Sequence, residues 1–307
     1  MHYQLKVSSF NRDELIQEMN ELIVFFEKNF DYKKIRSSKI QKWINHVSNP
    51  NIEEFDKIEN FYQIMQYVRA LRTFKCYSNK IKKDTITNML AGGGSKNDRS
   101  NDYFFEIDMA RRFILREDFE DISLNDNTDI IFKSFKSQME ILIECKNINS
   151  EKSFESNIRK ANKQLSSKIA ENEFLKKGSL GIISVNLTNV FDRKEYLDLL
   201  TPIMENFVKH HQYLGSNDVL SDKNFNQIHL SMLQGLLEFK FWEMFGKFKC
   251  NNYKFHKSIK GIFYQVDVMI PIFNSDRFFV TRAATYFPFD NDLKWAKFLF
   301  HPLAVGV

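Results

Sequence analysis

Ile141-Leu142-Ile143-Glu144-Cys145-Lys146 is the stretch on which the fold turns. Side chains alternate along a strand, so Ile141, Ile143 and Cys145 share one face, and Leu142, Glu144 and Lys146 the other. Glu144 and Lys146 then project together, roughly 6–7 Å apart along the strand. A strand this apolar belongs near the middle of a sheet, where an isolated charge is costly to desolvate. Two opposite charges on one face offset part of that cost, and a metal ion would offset more.

Upstream, Thr128-Asp129-Ile130-Ile131-Phe132 sets a carboxylate at the start of a second apolar strand. A hairpin through Lys136-Ser137-Gln138 would bring Asp129 beside Glu144. Two carboxylates converging at a strand end suit a hard cation such as Mg²⁺, which takes oxygen ligands at about 2.0–2.1 Å and keeps several waters. A lysine beside them can orient an attacking water and neutralise charge building on a phosphorane. Glu106, on a helix predicted over 102–115, offers a further carboxylate, directly or through a water.

Around these residues the periodicity changes in a definite order. The helix over 102–115 is followed by short apolar runs at 122–124, 129–135 and 139–145, typical of strands. A charged helix over 154–174 and a buried strand over 180–187 come next, which makes a mixed α/β layer. Before it, amphipathic stripes predict helices over 13–30 and 51–77. Gly92-Gly93-Gly94 marks the best candidate linker. The reading is therefore a helical N-terminal domain (1–91), a Gly-rich linker (92–100) and an α/β domain with a C-terminal extension (101–307). That extension reads as a helix over 194–213 and a strand pair, 261–273 and 277–287.

Helix-borne Glu106, strand-borne Asp129, then Glu144-Cys145-Lys146, then a helix carrying Gln164 resembles the PD-(D/E)XK nuclease superfamily, over about residues 98–187. The resemblance implies a restriction-endonuclease-like mixed sheet flanked by helices, and hydrolysis of phosphodiester bonds with Mg²⁺ or Mn²⁺. It implies that Asp129 and Glu144 bind the metal, with the backbone carbonyl of Cys145 as an additional ligand. Lys146 would position the water, while Glu106 would support the metal or accept a proton, and Gln164 matches a glutamine that some members carry. Thr128 stands where the signature has its proline. DNA is the substrate the resemblance favours, ahead of RNA, and restriction or phage defence is the process we expect. Monomer, homodimer and complex with a partner subunit all stay open. Arg159, Lys160, Lys163 and Lys168 on the following helix would form a phosphate-facing stripe, or equally a solvated face.

Other readings compete. An acidic residue two before a lysine is common in this chain, and Glu238-Phe239-Lys240, flanked by Leu236-Leu237 and Phe241-Trp242, is the rival to Glu144-Cys145-Lys146. It lacks an upstream strand-borne aspartate and a carboxylate-bearing helix at suitable spacing. Glu144 and Lys146 could also be a structural ion pair on a half-exposed edge, in a protein that binds nucleic acid or a partner without cutting it. His-Glu-x-x-His and Gly-x-Ser-x-Gly are absent, and Gly94-Ser95-Lys96 lacks the order of a phosphate-binding loop.

Composition narrows the class without deciding it. The chain has 307 residues, 43% hydrophobic and 27% charged, with 31 phenylalanines but 10 glycines and 5 prolines, which favours long regular elements. A net charge of +5 permits a polyanionic partner. Cys76, Cys145 and Cys250 are far apart and read as reduced thiols of a cytoplasmic protein. No membrane span or secretory leader is expected.

Overall fold

The computed structural model describes residues 9–10, 12–30, 39–49, 63–72, 75, 100–114, 119–125, 128–134, 139–173, 178–213, 219, 222–248, 253–271 and 278–289. The Gly92–Asp98 stretch, residues 51–62 and residues 136–138, where a hairpin turn is expected, lie outside them. Strand β1 is Ser9–Phe10, followed by helices α1 (Arg12–Phe30), α2 (Lys39–Ser48) and α3 (63–72). Helix α4 (Ser100–Ile114) leads into β2 (Phe119–Asn125), β3 (Thr128–Ser134) and β4 (Glu140–Asn147). Then come α5 (Glu151–Glu173), β5 (Ser179–Asn186), α6 (Arg193–Tyr213), α7 (Lys223–Lys247), β6 (Ile259–Pro271) and β7 (Phe278–Pro288).

Among the described residues the strands form one mixed sheet of seven strands in the order β1-β7-β6-β5-β4-β3-β2, in an α/β arrangement. Strands β2, β3 and β4 make an antiparallel meander, and α5 carries the chain back so that β5 runs parallel to β4. Strand β6 is again parallel to β5, while β7 returns antiparallel. The alternation read from the apolar run holds: Ile141, Ile143 and Cys145 enter one core, and Leu142 the other.

Each core has its own helices. On one side α1 to α4 contribute Leu15, Met19, Ile44, Tyr67, Phe105, Met109 and Phe113, which pack on Ile130, Phe132, Ile182 and Phe263. The N-terminal helices therefore share a core with α4 and the sheet, and β1 extends that sheet by pairing with β7. On the other side α5 buries Phe154, Ile158, Ala161, Leu165 and Ile169 at helical spacing, next to Tyr196 and Leu200 of α6 and Leu233, Leu237 and Phe241 of α7. Gly181 lets α5 approach so closely: a Cβ there would stand 3.1 Å from Ile259 Cγ1 and 3.3 Å from Leu165 Cδ1. Helix α7, capped by Asp222, whose carboxylate accepts from Asn224 N at 2.7 Å and Phe225 N at 3.1 Å, was not marked by the sequence pattern, and neither were α2 and β1. No helix among the described residues is long and apolar enough to cross a membrane.

Helix α4 is fastened to the sheet by buried charge. Arg282 of β7 stands opposite Asp267 of β6; its Nη2 lies 3.0 Å from Asp267 Oδ2 and 2.9 Å from Asp108 Oδ2 of α4. Arg112 donates to Asp108 Oδ2 at 3.0 Å and to Gln265, with its guanidinium 5.4 Å from the Phe263 ring. Burial opposes ionisation of Asp108, yet Arg282, Arg112 and Arg111 hold its carboxyl well below the usual carboxylate range. Removing one member of such a network strands the other charges in low dielectric. Arg282→Ala is expected to lower unfolding free energy by about 3–5 kcal/mol in chemical denaturation, with Arg282→Lys between it and wild type; a loss of under about 1 kcal/mol, the scale of a surface pair, would show that the network does not anchor α4.

Candidate active site

The antiparallel register Ile130↔Ile143 and Ile131↔Leu142 carries Asp129 to the rung of Glu144. The two carboxylates therefore meet on the face that also presents Lys146. The amide of Cys145 donates to Asp129 Oδ2 at 2.6 Å and fixes that carboxylate against β4. Lys146 Nζ lies 2.5 Å from Glu144 Oε1 and 3.9 Å from Asp129 Oδ2. Glu144 is wholly buried, whereas the side chains of Asp129 and Lys146 are 19% and 12% exposed, so the centre opens on one side. Glu144 Oε2 is buried and accepts no hydrogen bond from the described residues.

Glu106 approaches from α4. Burial first, then the charge of Asp129, pushes its carboxyl up to about 9 against the pull of Lys146, with Asp102 and Glu144 adding to the rise. Burial and Asp129 likewise push Glu144 up to about 7, although Lys146 opposes them. The Asp129 carboxyl is raised by burial despite Lys146 and the Cys145 amide. Burial would lower the Lys146 ammonium, but Asp129 and Glu144 outweigh it and hold the group charged. The cluster is short of positive charge: one buried lysine faces several carboxyls.

The other expected residues separate. Cys145 turns its thiol to the opposite core, where burial and then Asp129 push it far up; the ligand expected of this residue is its backbone carbonyl. Gln164 is half-buried on α5, its Oε1 buried and unpartnered, one turn beyond Lys160. Lys160 is exposed, and its charge acts on both Asp129 and Glu144. Lys163 is exposed as well. Arg159 is drawn away from them: its Nε donates to Glu155 at 2.9 Å, and its guanidinium lies 4.5 Å from the Tyr253 ring and 5.3 Å from that of Phe248. Lys168 pairs with Glu171 at 3.0 Å. The rival Glu238 and Lys240 lie on α7, where Glu238 accepts from Gln234 and Lys240 pairs with Glu151 and Glu243. That arrangement is a charged helix surface.

Two neighbours escaped the sequence reading. Asn147, next to Lys146, donates to Asn101 O at 2.6 Å and to Asp102 Oδ1 at 3.3 Å, tying the first turn of α4 to the end of β4. Asn186 donates to Asn147 Oδ1 at 2.8 Å, Thr188 to Asn186 Oδ1 at 2.7 Å, and the Asp267 amide to Thr188 Oγ1 at 3.1 Å. This chain of amides and hydroxyls crosses the carboxyl ends of β4 and β5 and reaches β6. The available signal was the spacing of Asp102 and Glu106, four apart on one helix face.

Among the described residues no three His, Cys, Asp or Glu side chains converge into a cage that could hold an ion alone. Asp129 and Glu144, with the unpartnered Oε2, instead fit the mode in which Mg²⁺ takes one or two carboxylates and leaves its remaining positions to water and substrate.

The raised carboxyls fix a pH dependence. Glu106 and Glu144 hold protons in the folded chain that the unfolded chain releases above the ordinary value of 4.5. Stability therefore falls as pH rises from about 4.5 through 7 and towards 9. In chelator, Glu106→Gln is expected to raise the melting temperature at pH 8 and leave it nearly unchanged at pH 4.5; equal shifts at both pH values would mean that Glu106 does not titrate in this way. Compared with known proteins, the chain matches no family model, no curated protein and no solved structure.

Proposed function

We propose that the chain is a metal-dependent nuclease with a restriction-endonuclease-like core, hydrolysing phosphodiester bonds in DNA ahead of RNA, in restriction or phage defence. The observation that carries this reading is the convergence of Asp129, Glu144 and Lys146 on one face of two paired strands, with Glu106 approaching from α4. The element order is consistent with it: a carboxylate-bearing helix, a three-stranded antiparallel meander, a helix, then a strand parallel to the last of the three.

Asp129 and Glu144 would hold Mg²⁺ or Mn²⁺, which when bound lowers the pKa of a coordinated water and draws charge from the phosphate oxygens. The protein's own groups do the rest. The Cys145 amide keeps Asp129 aimed at the centre, and burial of Glu144 on β4 fixes its free Oε2. Lys146, kept charged by both carboxylates, orients the attacking water and offsets the negative charge that grows on the phosphate. Glu106, raised to about 9, holds a proton at neutral pH, so it becomes a proton acceptor only once further positive charge enters the centre.

One observation favours a second reading. Lys146 already contacts Glu144 Oε1 at 2.5 Å, which is what a purely structural buried ion pair in a non-catalytic nucleic-acid-binding protein would show. Cleavage separates the two. Plasmid, single-stranded DNA and the matched RNA are incubated with Mg²⁺ or Mn²⁺, using wild type, Lys146→Ala and Glu144→Gln. Metal-dependent cutting that falls by about 10²-fold or more in both folded variants is the expected result. Wild type that cuts none of the three substrates, with variants that melt earlier, would point to the structural pair.

A further inference from the structure

The basic residues of α5 divide into two groups. Arg159 and Lys168 are paired within the helix, to Glu155 and Glu171. Glu151, in the first turn, is taken by Lys240 and Lys247 of α7. Lys152, Lys160 and Lys163 are all exposed and have no ion-pair partner among the described residues. At about 100° per residue these three fall within about 80° of one another on the helix, on the side opposite its buried stripe. The exposed Ser156 and Ser167 lie between them, so this face carries neither an acid nor a bulky side chain. One edge of the face adjoins the centre: α5 packs across β4 and β3, and Lys160 stands one turn before Gln164, whose Oε1 is buried on that side.

We propose that this outer face of α5, built from Lys152, Lys160 and Lys163, is a sequence-independent seat for a phosphodiester backbone leading one strand to the Asp129–Glu144–Lys146 centre. The inference rests on the nuclease reading for the destination of the strand, and on charge complementarity for the seat itself. Lys152 and Lys163 are separated by about 16 Å of helix rise, the length of about five phosphates in a stacked strand. Lysine meets a phosphate as a point charge, and contacts to phosphate position the strand and carry no sequence information. Selectivity for a site or a structure belongs to other surfaces.

The test measures binding without cutting. Fluorescein-labelled 20-nucleotide DNA and the same sequence in RNA are titrated in EDTA across NaCl concentrations, by anisotropy. The proteins are wild type, Lys160→Gln, the double variant Lys152→Gln/Lys163→Gln, and Lys194→Gln on α6 as an exposed control. Each phosphate contact contributes about 0.7 to the slope of log affinity against log salt for a single strand. The double variant is therefore expected to lose about 1.4 from the slope and about tenfold in affinity at low salt, equally for a scrambled sequence, while Lys194→Gln matches wild type. Unchanged slopes in the double variant, loss confined to Lys160→Gln, or no binding by wild type would each overturn the seat. Cleavage by wild type is run in parallel with Mg²⁺. An unchanged slope beside intact cleavage removes the seat and leaves the nuclease, whereas a reduced slope without any cleavage does the reverse.

Discussion

Glu144 sits at zero exposure within an apolar strand, and the arrangement around it follows from that burial. A carboxylate so placed requires a nearby positive charge, a proton or a metal. Lys146 supplies the first on the same face of the same strand, but Asp129 stands on the same rung of the neighbouring strand and draws on the same lysine. With Glu106 added from α4, acid exceeds base inside the cluster, and the surplus is expressed as raised carboxyls. A structural ion pair is normally balanced, one charge for one. The imbalance is what supports the metal proposed for this centre.

Helix α4 ties this centre to the rest of the fold. Its first turn is held by Asn147, Glu106 follows one turn later, and Asp108 and Arg112 then enter the ionic network on β6 and β7. Both attachments lie on the same face of the sheet, beneath the core shared with α1, α2 and α3. The position of Glu106 is thus set from two sides by buried polar contacts rather than by the exposed end of a loop.

The parts legible in the sequence were those written in local period. From Ile141 to Lys146, strand β4 is apolar on both faces apart from Glu144 and Lys146, so its alternation was plain, and the short interval back to Asp129 made the pairing readable. Residues joined only by tertiary structure were hidden. Asp108, Asp267 and Arg282 look like ordinary surface charges until a helix and a strand pair bring them together. Helix α7 was obscured because Phe239 and Trp242 are exposed while Phe241 and Phe245 are buried, so apolar residues ring the helix and blur the 3.6-residue period. Asn147 went unremarked because an asparagine at a strand end usually signals a turn. The basic stripe of α5 was visible as composition, but which of its basic residues are already paired depended on Glu155, Glu171 and the Tyr253 ring.

Strand β1 pairs Ser9 with Phe279, so the outermost rung of the sheet joins segments from nearly opposite ends of the described chain. The helices that follow β1 cover a core whose other wall includes Phe263, Met269 and Val280. During synthesis on the ribosome those early helices therefore emerge long before the strands that bury them. The meander β2–β4, with α5 and β5, can organise first, since its contacts are comparatively local. Closure of such distant pairings is slow in general, and the waiting apolar faces of α1, α2 and α3 are where a nascent chain of this protein would need shielding from its neighbours.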